Sequence, residues 1–174
     1  SGSVSSHNAP HNNILEPILK RALETKGSEN CRIWSPLIDL QPVCKMAVGK
    51  ESSVNLSIES NNNSGCHGGW EVICTDITPG KSYAFKAKAN ISGIPYPVEN
   101  ISPEVYFFSG KDTRPIDWRF IEAISHDSSG IVFHHVLDVP PKADRMVIRL
   151  ILRWTAYGRV YFGDLSLTES GATT

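Results

Sequence analysis

Hydrophobic and polar residues alternate along most of the chain after Asn30. A two-residue period is typical of β-strands, because successive side chains of a strand point to opposite faces of the sheet. The strands predicted in this way are residues 54–58, 70–75, 82–89, 104–108, 118–124, 131–139, 145–154 and 158–167. Turn-rich segments such as residues 61–69 separate them. Short strands joined by turns predict an all-β protein, an antiparallel β-sandwich.

One segment, residues 14–24, has the period of a helix instead. Its apolar residues recur at intervals of three and four: Ile14, Leu15, Ile18, Leu19 and Leu23. Gly27 follows as an ending signal, and Pro17 is compatible with a helix in its first turn. The pattern predicts a short N-terminal helix or coil, and we expect one sandwich domain over residues 14–169, with polar tails at 1–13 and 170–174.

Composition excludes two classes of partner. The 174 residues include 17 basic and 18 acidic side chains, which give a net charge of −1. A nucleic-acid-binding protein is usually strongly basic, so we expect no nucleic-acid partner. No apolar run approaches the roughly 20 residues that cross a bilayer, so we expect no membrane partner.

Four cysteines leave two possibilities open. Their spacing allows two local disulfides, Cys31–Cys44 and Cys66–Cys74, and it also allows four free buried thiols. The sequence contains no CxxC pair, and His67 is the single histidine beside a cysteine, which argues against a zinc site.

The sequence contains no assembled set of catalytic residues. Nucleophile-elbow, zinc-protease, P-loop and dinucleotide-binding motifs are absent from it, and its carboxylates are scattered. We therefore expect a protein that is not an enzyme.

Aromatic residues are more informative, since the chain contains four tryptophans and five tyrosines. An exposed ring can stack on the apolar face of a sugar while neighbouring polar groups bond its hydroxyls, although most rings in a small protein belong to the core. We expect Trp118, Tyr96 and Tyr106 to be exposed rings of this kind. Trp154 is expected in the core, and Trp70 suits either place.

Basic residues follow two of the predicted strands. In residues 145–154, Arg149 and Arg153 share a face with Val147 and Ile151, whereas Trp154 shares the other face with aliphatic residues. The arginines could bind carboxylates or polarised hydroxyls, or they could form a salt-bridged surface. Lys86 and Lys88 share a face of residues 82–89, and all four cations would form one basic stripe if they lay on one sheet.

Two segments, residues 53–89 and 136–169, carry motifs that resemble a known family. The motifs are HGGW and PGKSY in the first segment, and VPPKA and the final strand YFGDLSLTE in the second. Together they resemble carbohydrate-binding modules of families 4, 9 and 22, and above all the modules attached to larger secreted bacterial hydrolases. The resemblance extends over residues 53–169.

The resemblance implies a jelly-roll sandwich like that of galactose-binding domains. It also implies secretion, an attached catalytic domain, and sugar bound on a concave sheet face or at loop tips. Many such modules hold a structural Ca²⁺, and Asp164 matches one of their ligands. Gly163 replaces a preceding aspartate of the family, and Glu16 is the remaining candidate from their N-terminal glutamate segment.

The resulting hypothesis is a non-catalytic module that binds polysaccharide and targets an attached enzyme to it. The candidate ligand-binding residues are Trp118, Tyr96, Tyr106, Arg149, Arg153, Lys86 and Lys88, and their charges make an anionic glycan a hypothesis. The alternative is a structural spacer or dimerisation domain without a glycan ligand. That alternative predicts an exposed apolar patch, for example along residues 14–23.

Overall fold

A computed structural model describes residues 12–170, and these form two antiparallel β-sheets packed face to face. The five-stranded sheet has the order β1 (Cys31–Trp34), β4 (His67–Cys74), β10 (Arg145–Arg153), β6 (Glu104–Phe108) and β7 (Asp117–Phe120). The six-stranded sheet has the order β2 (Val43–Val48), β3 (Val54–Glu59), β11 (Arg159–Glu169), β5 (Ser82–Ser92), β9 (Gly130–Asp138) and β8 (Ala123–Asp127). The predicted all-β antiparallel jelly-roll sandwich is confirmed.

The core lies between the inner faces of the two sheets. Phe107, Ile148 and Leu150 contribute to it from the five-stranded sheet, and Phe85 and Phe162 from the six-stranded sheet. These side chains are almost fully buried, and burial of large apolar groups is the main favourable contribution to folding.

The predicted helix exists as α1 (Leu15–Thr25), and its apolar stripe packs on the sandwich. Leu15, Leu19 and Ala22 are buried. Lys26 takes a left-handed conformation after the helix, and the Gly27 N–H donates to the Ala22 carbonyl at 2.8 Å. The exposed apolar patch that a spacer or dimerisation domain would present along residues 14–23 is therefore not formed.

The predicted tails fall largely outside the described residues. Asn13, the last residue of the predicted N-terminal tail, already belongs to the fold, because its side chain donates to the Leu165 carbonyl and accepts from the Leu167 N–H. A second helix, α2 (Pro97–Asn100), lies in the loop after β5. No helix in residues 12–170 has the length and apolar character required to cross a membrane.

The strand prediction is wrong for residues 118–124. They form the end of β7 and the start of β8, which belong to different sheets, because the chain crosses the sandwich at Ile121 and Glu122. The alternation breaks here, since Phe120 and Ile121 are adjacent apolar residues, but such a break does not by itself distinguish a bulge from a change of sheet. β1 and β2 were not predicted individually.

The four cysteines are free thiols in the described structure, so the local disulfides Cys31–Cys44 and Cys66–Cys74 are not formed. Cys31 faces the core from β1, near Cys74 on β4, and Cys44 lies near Cys66. Burial raises the pKa of Cys31, Cys44 and Cys74 to about 12, and a neighbouring cysteine adds to the shift for Cys44 and Cys74. These thiols are therefore protonated at neutral pH, which makes them weak nucleophiles.

Candidate binding face

The outer face of the five-stranded sheet carries a set of aromatic rings, and we call it the aromatic face. Its rings are Trp34 on β1, His67 on β4, Tyr106 on β6, Trp118 and Phe120 on β7, and Trp154 directly after β10. Trp118 is 47% exposed, Phe120 49% and Trp154 57%. Large rings so exposed are candidates for ligand contact rather than for packing.

A row of alternating charges crosses the centre of this face. Its members are direct partners on four adjacent strands: Arg32, Glu71, Arg149 and Glu104. The Arg32 Nε donates to Glu71 Oε1 at 2.9 Å, and the Arg149 Nε donates to Glu71 Oε2 at 2.8 Å. The Glu71 side chain is only 4% exposed, so two arginines compensate one buried carboxylate.

Arg149 lies between two rings at the middle of the row. Its guanidinium carbon is 4.3 Å from the centre of the Trp34 ring and 4.5 Å from that of Tyr106. Cation–π attraction and the ion pair with Glu71 hold the planar guanidinium in place. Arg149 therefore fixes the positions of rings that belong to strands on either side of β10.

Tyr106 connects the charged row to the exposed end of the face. Its hydroxyl donates to Glu104 Oε2 at 2.6 Å, and its ring stacks on Trp118 with centroids 6.2 Å apart. Phe120 meets Trp118 edge-on at 5.0 Å. Burial, followed by the hydrogen bond to Glu104, raises the pKa of Tyr106 to about 12, so the phenol remains a hydrogen-bond donor at neutral pH.

His67, Trp154 and Arg153 form the part of the face around the end of β10. His67 contacts Trp34 and Trp154 edge-on, at 5.7 and 6.4 Å between centroids. The Arg153 guanidinium carbon is 3.9 Å from the centre of the Trp154 ring. The prediction that Trp154 lies in the core is wrong, because β10 ends at Arg153 and the positive φ of 60° at Trp154 breaks the alternation.

Several solved structures share this fold. No protein-family model matches the sequence, and no curated protein sequence matches it either. A xylan-binding CBM22 domain from Paenibacillus barcinonensis superposes with a TM-score of 0.56 at 13% identity, over 85% of this chain and 96% of that one. The chain has the fold of a carbohydrate-binding module.

Two larger proteins contain the same fold. The CBM22–GH10 part of a Clostridium thermocellum xylanase, solved with xylohexaose, matches with a TM-score of 0.58 at 10% identity, over 82% of this chain. The enzymatically active part of a bacteriophage CBA120 tailspike protein matches with a TM-score of 0.60 at 12% identity, also over 82%. This chain spans only 26% and 20% of their lengths.

The aromatic face brings together four of the seven predicted ligand-binding residues: Trp118, Tyr106, Arg149 and Arg153. Lys86 and Lys88 lie instead on β5, in the six-stranded sheet, so the single basic stripe is wrong. The physical reason is that β5 pairs with β9 and β11 rather than with β10.

Tyr96 lies in the loop before α2 and is 67% exposed. The loop is attached to the Arg153 end of the aromatic face, because the Asn100 side chain donates to the Arg153 carbonyl at 3.0 Å. No ring contact joins Tyr96 to the aromatic face within residues 12–170. Its role in binding stays a prediction, as does that of the two lysines.

Glu16 and Asp164, the predicted calcium ligands, line one pocket of about 420 Å³ between α1 and the bulge of β11. Lys20 and Lys50 line it as well, and the Lys20 Nζ is 2.7 Å from Glu16 Oε1. Within residues 12–170, no three side chains from His, Cys, Asp and Glu lie close enough together to hold a metal ion. Because Ca²⁺ takes six to eight oxygens, these side chains do not fit the ion by themselves.

The calcium site therefore stays a prediction, and thermal unfolding checks it. If Ca²⁺ binds between Glu16 and Asp164, EDTA should lower the melting temperature and millimolar CaCl₂ should restore it. Asp164→Asn should then remove the difference. Equal melting temperatures in both buffers would contradict a calcium site in this domain.

The protonation of His67 provides a second prediction. Burial and the nearby Arg153 lower its pKa below the usual 6.5, although Glu104 opposes the shift. The unfolded chain binds this proton more readily than the folded one. The contribution of neutral His67 to the free energy of unfolding is therefore fully present above pH 6.5 and decreases as the pH falls below that value. We expect urea denaturation to show a smaller free energy of unfolding at pH 5 than at pH 7. His67→Gln should reduce that loss, and an unchanged loss would contradict the assignment.

Proposed function

We propose that this domain is a non-catalytic carbohydrate-binding module that binds a polysaccharide chain along its aromatic face. The observation that supports this most strongly is the continuous set of side chains from one edge strand to the other. Trp34, Arg149, Tyr106 and Trp118 follow one another across the sheet in direct contact. Sugar rings have apolar faces for stacking and hydroxyls for hydrogen bonds, and this face offers partners for both.

The dimensions of the face favour a chain over a single sugar. Strands lie about 4.8 Å apart, so the distance from β1 to β7 across five strands is roughly 19 Å. Stacking at Trp34 and at Trp118 requires a ligand that reaches both. We expect affinity to increase with oligosaccharide length until both edges are occupied.

The neighbouring structures suggest the first ligand to test. The Paenibacillus barcinonensis domain is described as xylan-binding, and the Clostridium thermocellum protein was solved with xylohexaose. Xylan is therefore our first candidate for this chain, ahead of other plant polysaccharides.

The carboxylates of the face favour binding over catalysis. Glu71 accepts from two arginines, and Glu104 accepts from Tyr106. A glycosidase needs one carboxyl group to donate a proton and another to act as base or nucleophile. Both carboxylates here are engaged in fixing the rings.

We further propose that the domain is part of a larger secreted protein and concentrates an attached enzyme on its substrate. Linkage to a bound module raises the effective concentration of the enzyme at the polymer. The Clostridium thermocellum xylanase supports this proposal, because it contains a CBM22 module and a GH10 module in one protein.

Affinity electrophoresis on a panel of soluble xylans, glucans and galactans tests the binding proposal. We expect at least one polymer to retard the wild-type protein and Trp118→Ala to lose most of that retardation. Lys45→Ala is the matched control, because Lys45 is exposed on β2 of the other sheet, and we expect it to behave like the wild type. Retardation by no polymer, or equal retardation of Trp118→Ala, would contradict binding at this face.

A further inference from the structure

A cavity of about 450 Å³ opens beside the aromatic face. Its apolar wall includes Val98, Ile101, Phe120, Ile121 and Phe133, and Arg153 also lines it. The volume is within the range of small-ligand sites, about 300–1,000 Å³. The cavity thus has an apolar wall and one cationic group.

Arg153 differs from the other arginines of the aromatic face. Arg32 and Arg149 pair with Glu71, and both terminal nitrogens of Arg145 donate to backbone carbonyls. The Arg153 Nε donates to the Glu99 carbonyl at 3.2 Å, and no carboxylate in the described part of the chain pairs with its guanidinium. The two terminal nitrogens of the Arg153 guanidinium are therefore available to an external carboxylate.

The cavity is continuous with the aromatic face. Phe120 lines the cavity and contacts Trp118 edge-on, and Arg153 lines the cavity and covers Trp154. A polymer lying on the aromatic face would pass the mouth of the cavity. A side group of that polymer could then enter the cavity while the main chain keeps its contacts with the aromatic face.

We propose that this cavity receives an acidic branch, a uronate, of the polysaccharide bound on the aromatic face. The carboxylate pairs with Arg153, and the C–H surface of the sugar contacts the apolar wall. Glu122 also lines the cavity, and its exposed carboxylate would repel additional negative charges. The site therefore suits one acidic group rather than a polyanionic chain. This inference rests on the proposed function, because the main chain of the polymer supplies most of the binding.

The small probe is methyl glucuronoside, with methyl glucoside as the neutral control. In a titration of labelled protein followed by NMR, we expect millimolar glucuronoside to shift the Arg153 side-chain and Ile121 resonances. The glucoside should leave both unchanged. Equal shifts with both sugars, or no shift near the cavity, would overturn the proposal, and neither result depends on which polymer binds.

The polymer test compares glucuronoxylan with the same material after its carboxyl groups have been reduced to alcohols. We expect the wild type to bind the acidic form about tenfold more tightly at low salt, and high salt to remove the preference. Arg153→Gln should bind both forms alike, and Val98→Glu, at an exposed wall position, should disfavour the acidic form. Equal wild-type affinity for the two forms would overturn only the proposal of an acidic branch. If no polymer of the electrophoresis panel binds, the proposed function itself is overturned.

Discussion

Arg149→Met should destabilise the domain and abolish polysaccharide binding together. The Arg149 side chain is 20% exposed and pairs with Glu71, whose side chain is 4% exposed. Removing one member of a buried ion pair leaves an uncompensated charge, which typically costs about 3–5 kcal/mol. Arg32 still pairs with Glu71, so we expect a smaller loss of about 2–3 kcal/mol in the free energy of unfolding by urea denaturation.

A double variant separates stability from binding. Glu71→Leu with Arg149→Met replaces the buried pair by apolar groups, and such exchanges are often neutral or stabilising. We expect the double variant to regain most of the lost stability, because the buried carboxylate of Glu71 is removed together with its partner. It should still bind poorly, since no cation holds Trp34 and Tyr106 in place. Recovered binding would show that Arg149 contributes to folding and not to the site.

Tyr106→Ala should have the largest effect on binding among the single ring substitutions. Tyr106 stacks on Trp118 and covers Arg149, so its loss removes one ring and releases a second. Truncation of a central aromatic residue in an interface commonly costs about 2 kcal/mol or more. Isothermal titration calorimetry with a long oligosaccharide should therefore show an affinity at least roughly 30-fold lower.

Tyr106→Phe is the matched control, because it keeps the ring and removes only the hydroxyl. Glu104, which is 8% exposed, then loses the donor at 2.6 Å. An unsatisfied buried acceptor costs about 1–3 kcal/mol, so we expect lower stability with binding largely retained. Equal affinity losses for the Phe and Ala variants would contradict ring stacking as the source of binding.

The fold was accessible from the sequence because alternation, turns and family-like motifs all indicate an antiparallel sandwich. The two-residue period also predicted that Arg149 and Arg153 share a face. The helical spacing of apolar residues in 14–24 predicted α1. What the period cannot supply is the assignment of strands to sheets. The adjacent apolar residues Phe120 and Ile121 break the period but do not indicate that the chain changes sheets there, and Lys86 lies on a different sheet from Arg149.

The site was only partly predictable for the same reason. Trp118, Tyr106 and both arginines were expected, whereas Trp34 and Glu71 were missed. Trp34 ends a strand of four residues, which is too short for a clear period. Glu71 acts through its register with Arg32 and Arg149, and cross-strand register is a property of the folded sheet. The exposure of Trp154 depends on one positive φ value, which its side chain does not signal.

The tryptophan indole N–H signals report directly on ligand contact with the aromatic face, because the chain has four tryptophans and one of them is an internal control. Trp70 is buried, and its indole nitrogen donates to the Ser57 carbonyl at 3.1 Å. On titration with a bound xylo-oligosaccharide, or with another oligosaccharide chosen from the panel, we predict that the Trp34 and Trp118 signals shift and the Trp70 signal does not. Binding that leaves the signals of both Trp34 and Trp118 unchanged would place the ligand elsewhere and contradict binding at the aromatic face.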